Sequence, residues 1–95
     1  MNEKDLPGRR EKLIRGILRY LIEHPDAKDT VEGIVKWWRP ESKVEWEKQA
    51  VRDAVDALAS KGWLTKREIS REETVYGVNK LHIAEIKNFL RETGI

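Results

Sequence analysis

Ninety-five residues, 39% of them hydrophobic, fill one modest core and leave no room for a second domain. The absence of cysteine excludes a disulfide framework, a thiolate zinc site and a cysteine nucleophile, and a cytoplasmic location is expected. Charge is abundant but nearly balanced, 19 basic against 17 acidic residues, so the net +2 falls well short of the basic excess of a nonspecific nucleic-acid binder.

No apolar run approaches the roughly 20 residues of a membrane span, and the opening MNEKDLPGRREK has no hydrophobic signal core, so no membrane contact is expected. Basic residues gather at the front: Lys4, Arg9, Arg10, Lys12, Arg15 and Arg19 outnumber Glu3, Asp5 and Glu11. Residues 1–6 are expected to form a flexible tail and residues 7–95 a single domain.

From Pro7 to about Glu23, Leu13, Ile14, Ile17, Leu18 and Leu21 recur at steps of three and four, which aligns them on one stripe of a first helix. Pro25 stops it, because the residue before a proline avoids helical geometry. The next segment, HPDAKD, reads as a short connection. A second helix starts at Asp29 or Thr30, with Glu32 placed for a capping box on Asp29. Val31, Ile34, Val35 and Trp38 share its inner stripe, while Trp37 lies at or beyond the edge. Pro40 ends it.

Ser42 and Glu45 form another candidate capping box, opening a long third helix to about Ser60. Val44, Glu47, Val51, Ala54, Val55 and Leu58 fall on one face, and Trp46, Gln49, Asp53 and Asp56 on the reverse. Gly62 suits a left-handed helix end. WLTKREI and TVYGV then read as a β-hairpin joined by SREE, and Lys80 to Glu92 as a last helix capped by Asn79, with Ile83, Ile86, Phe89 and Leu90 on one side. Gly16 and Gly33 inside helices predict close helix crossings. The expected class is mainly α with a small β-hairpin, an α+β fold in which a three-helix core is closed by two strands and a C-terminal helix.

That order, and the run VRDAVDALASKGWLTKREI at 51–69, resemble the winged helix-turn-helix superfamily. There the third helix passes through spaced aliphatic positions and a lysine-glycine turn into a basic wing strand. The resemblance implies a transcription-regulator-like domain that binds double-stranded DNA with helix 3 and the wing. Carried onto this chain, the reader positions are Lys43, Trp46, Lys48, Gln49 and Arg52, and the wing contacts Lys66, Arg67 and Arg71. Charge departs from this pattern. In residues 43–61, Lys43, Lys48, Arg52 and Lys61 face as many carboxylates, and in the wing Glu68, Glu72 and Glu73 cancel the three cations.

The alternative is a protein-interaction or dimerisation module, with Trp37 and Trp46 as interface candidates and the surfaces of helices 2 to 4 available, because an uncovered tryptophan is a frequent interface anchor. Trp46 packed within its own chain is the competing structural reading. An enzyme is not expected. His24 and His82 have no partner at metal or general-base spacing, and there is no phosphate loop, dinucleotide fingerprint or nucleophile elbow. No cofactor and no small-molecule substrate are implied.

Overall fold

In the computed structural model, residues 7–38 and 46–93 are described. The chain runs α1 (Pro7–Glu23), β1 (Lys28–Asp29), α2 (Val31–Trp37), α3 (Lys48–Lys61), β2 (Leu64–Glu68), β3 (Thr74–Val78), a single 3-10 turn (Lys80–His82) and α4 (Ile83–Thr93). The class is α+β: among the described residues, four helices and a small antiparallel sheet ordered β1-β3-β2. The tail 1–6, Lys43 and the Ser42–Glu45 box lie outside the described residues.

The apolar stripes meet where their spacing places them. Leu13, Ile17, Leu18 and Leu21 of α1, Val31 and Ile34 of α2, and Val51, Ala54, Val55 and Leu58 of α3 are buried together. Ile86 of α4 is fully buried against the same core, with Ile83, Phe89 and Leu90 half-covered beside it. Burial of a Leu, Ile or Val side chain contributes about 1.5–3 kcal/mol, so these stripes supply the driving force for the helical layer.

Local chemistry sets the element ends. The Thr30 hydroxyl accepts from the Gly33 N–H at 3.2 Å, while Asp29 Oδ1 accepts from the Thr30 N–H at 2.8 Å. Thr30 is therefore the cap, and Glu32 turns instead toward Lys48. Gly62 ends α3 at φ 94°, a left-handed conformation that a side chain rarely tolerates. Asn79 straps the next corner. Its amide donates to the Gly62 carbonyl at 2.9 Å, its carbonyl accepts from the Leu81 N–H at 3.1 Å, and its own N–H donates to the Trp63 carbonyl at 2.8 Å. Trp63, buried between these bonds, packs edge-on against Phe89 at 5.4 Å and so joins the hairpin to α4.

Three expectations change. The hairpin gains a third strand, because Lys28 and Asp29, expected in a plain connection, pair with Gly77 and Tyr76 along the open edge of β3. Two residues are too short to show a strand period. The third helix starts at Lys48, with extended Glu47 as its cap, so Glu47 is exposed and Trp46 precedes the helix. The helical glycines make room for side chains, not for crossing helices. A Cβ on Gly16 would stand 2.8 Å from Trp46 Cζ2, and one on Gly33 would overlap the Asp29 carboxylate.

Candidate binding surface

The exposed side of α3 carries Lys48, Gln49, Arg52 and Asp53. Several of these groups already hold carboxylates. Lys48 Nζ pairs with Glu32 Oε1 of α2 at 3.3 Å, and Gln49 Nε2 donates to Asp53 Oδ1 at 3.0 Å, one helical turn on. Both partners of the lysine pair remain solvated, so that bridge contributes about 0–1 kcal/mol and orients the lysine more than it stabilises the fold.

The hairpin register decides which way each hairpin cation points. Lys66 lies opposite Tyr76, and Arg67 opposite Val75. Successive strand residues face opposite sides of a sheet. Lys66 therefore turns toward α3, where its ammonium reaches Asp56 Oδ1 at 3.1 Å and passes within 5.9 Å of the Tyr76 ring. Arg67 turns to the far side, sharing a shallow depression with Lys28, Thr65, Ile69, Val75 and Gly77. Arg71 is exposed in the turn beyond. The proposed wing contacts Lys66 and Arg67 thus occupy two different surfaces.

Asp56 also accepts the Tyr76 hydroxyl at 2.7 Å, which ties α3 to the central strand. Burial alone would raise the Asp56 carboxyl. The hydrogen bonds from Tyr76 and Lys66, with the Lys66 and Arg52 charges, outweigh it and hold the group below its ordinary value. Tyr76 moves the other way, pushed up to about 12 by burial and by its bond to Asp56. A lowered carboxyl stabilises the fold above its ordinary pKa and loses that contribution as pH falls. A raised phenol stabilises below its ordinary value near 10 and loses it as pH climbs toward about 12. Tyr76→Phe is expected to cost about 0.5–1.5 kcal/mol at neutral pH and to flatten both limbs of stability against pH, as measured by urea unfolding. An unchanged alkaline limb in the variant would contradict the assignment.

The tryptophans separate. Trp38 is buried and stacks on Tyr20 at 5.0 Å. Trp46 does not ride the outer face of α3; it is half-buried with its indole over Gly16 of α1. Trp37 is 68% exposed and borders a shallow concavity with Glu32, Gly33, Val35, Lys36 and Lys48. Sequence reasoning missed the roles of Asp56, Tyr76 and Lys28. The hairpin alternation held a signal for the first two, since aligning the strands puts Lys66 beside Tyr76; nothing in the sequence marked Lys28 as a strand residue.

The chain matches no protein-family model and no curated protein sequence. Its fold is similar to that of a chain in the crystal structure of the Giardia lamblia Hop2-Mnd1 complex, with a TM-score of 0.61 and 16% identity over 88% of this chain and 54% of that one. This chain spans about half the length of that neighbour. At such low identity the likeness concerns the fold alone. Among the described residues no helix is long and apolar enough to cross a membrane, and no group of three or more His, Cys, Asp or Glu is placed to hold a metal ion.

Proposed function

We propose that this chain is a winged helix module that acts by binding, without catalysis or cofactor, and that its edge at α2 and the start of α3 docks onto a second copy of the same chain. The exposed Trp37 indole carries the reading. Exposed tryptophan surrounded by polar groups is characteristic of interface anchors. The charges around it are self-complementary: Glu32 sits beside Lys36 and Lys48, so a two-fold arrangement sets the carboxylate of each copy against the ammonium groups of the other. A solved chain of similar fold was crystallised within a complex, which is consistent with a domain that works through protein contacts. A cytoplasmic site of action belongs to the same proposal.

Duplex DNA is the second reading, favoured by Arg52, Arg67 and Arg71, which have no ion pair among the described residues. The neutralised lysines weigh against it, because carboxylates held at the reader face oppose phosphate and reduce counterion release. Sedimentation equilibrium of the wild type and Trp37→Ala, beside an NMR titration with a short mixed-sequence duplex at about 20 mM salt, separates the two. Concentration-dependent association that Trp37→Ala abolishes is the expected result. A monomeric wild type whose Gln49, Arg52 and Arg71 amides shift with duplex would overturn it in favour of DNA.

A further inference from the structure

The far side of the sheet holds two cations, Lys28 and the expected wing contact Arg67, over an apolar floor. Lys28 and Arg67 have no ion pair among the described residues, and the nearby Asp26 carboxylate is taken up by Lys80. Gly77 and Val75 of the central strand lie between these two cations, Ile69, 61% exposed, follows just beyond Arg67 at the turn end of the hairpin, and no carboxylate lines the depression. Gly77 is what lets Lys28 lie down there: a Cβ on Gly77 would meet Lys28 Cγ at 2.9 Å, so the lysine stem crosses the bare backbone. Thr65, whose hydroxyl donates to the Gly77 carbonyl at 3.3 Å, completes the floor.

We infer that this face docks an acidic amphipathic helix from a partner protein. The sheet register sets the spacing. Lys28 pairs across β3 with Gly77, and Arg67 sits two residues along on the other side of the same strand. Two strand separations and one side-chain repeat put their backbones about 12 Å apart. Carboxylates seven or eight residues apart on one helix face are separated by roughly 10.5–12 Å, with an apolar residue between them pointing the same way. Such a helix places one acid on each cation and its midway apolar residue on Val75, and a second apolar residue one turn beyond the acid on Arg67 reaches Ile69. A phosphate backbone satisfies the cations and leaves the apolar floor unmatched, which favours the peptide.

The probes are a synthetic helical peptide carrying Leu midway between two Glu about seven residues apart and a second Leu one turn beyond one of them, the same peptide with Lys in place of Glu, and a short duplex. NMR titration of the full chain with the acidic peptide is expected to shift the amides of Thr65, Arg67, Val75 and Gly77. Arg67→Glu and Ile69→Ser, both at exposed positions, are each expected to weaken it roughly tenfold with unchanged circular dichroism. The Lys28→Glu/Arg67→Glu double variant is expected to bind the Lys peptide instead. The inference fails if the acidic peptide leaves those amides unmoved, if wild type binds both peptides equally, or if the duplex shifts them more than the peptide does. Since Trp37 lies outside this depression, its sedimentation test succeeds or fails independently.

Discussion

Trp38→Ala is expected to destabilise the domain by about 3–5 kcal/mol, while Trp37→Ala, one residue earlier, changes stability by no more than about 0.5 kcal/mol. The two indoles leave the same helix end a hundred degrees or so apart. Trp38 is 2% exposed and stacks on Tyr20 at 5.0 Å with ring planes 12° apart, so truncation removes its buried area and opens a cavity between α1 and α2. The stack itself accounts for about 0.5–1.5 kcal/mol of the loss. A domain of this size has roughly 5–15 kcal/mol in total, and about 4–8 °C of melting temperature goes with each kcal/mol. Trp38→Ala should therefore melt at least about 12 °C below the wild type, or fail to fold at ambient temperature. Urea unfolding followed by far-UV circular dichroism measures both variants on one scale. Equal losses at the two positions would mean that Trp37 is not the exposed member of the pair.

That contrast was legible in the sequence because helical periodicity assigns neighbouring residues to different faces, and the buried members of the α1, α2 and α3 stripes follow the same rule. Gly62, Asn79 and the hairpin were legible for a related reason: turn and cap chemistry is local. What escaped depends on contacts between residues far apart in the chain. The two-residue β1 exists through its pairing with β3, 47 and 49 positions away, and has too few residues to announce itself. The third helix looked longer because Ser42 and Glu45 have capping-box spacing, whereas Glu47 is extended and Trp46 lies before the helix. Once Trp46 is removed from the helical wheel, its assignment to an outward face has no basis. Charge counting gave the near-neutrality of helix 3 but not its arrangement, in which Lys48 and Lys66 hold specific carboxylates while Arg67 and Lys28, without an ion pair among the described residues, lie on the other side of the sheet.

Gly16→Ala should stabilise the chain by about 1 kcal/mol when Trp46 is also replaced by alanine, and should give little gain or a loss when Trp46 is present. Alanine at an interior helical position normally exceeds glycine by that amount, since glycine has more backbone freedom to lose. Here the added methyl would come within 2.8 Å of Trp46 Cζ2, closer than carbon atoms approach, so the indole has to move off α1. It is half-buried against the core, and moving it returns apolar area to water at about 25 cal/mol per Å². Displacing a third of an indole's contact area, some 60 Å² or so, already offsets the helical gain. The two positions should therefore couple by about 1 kcal/mol or more in a double-mutant cycle, against about 0.3–0.5 kcal/mol for independent sites. If Gly16→Ala stabilises both backgrounds equally, Trp46 does not rest on α1. Strong coupling would instead mean that the glycine keeps this indole folded onto its own chain, leaving Trp37 as the exposed tryptophan that a partner can reach.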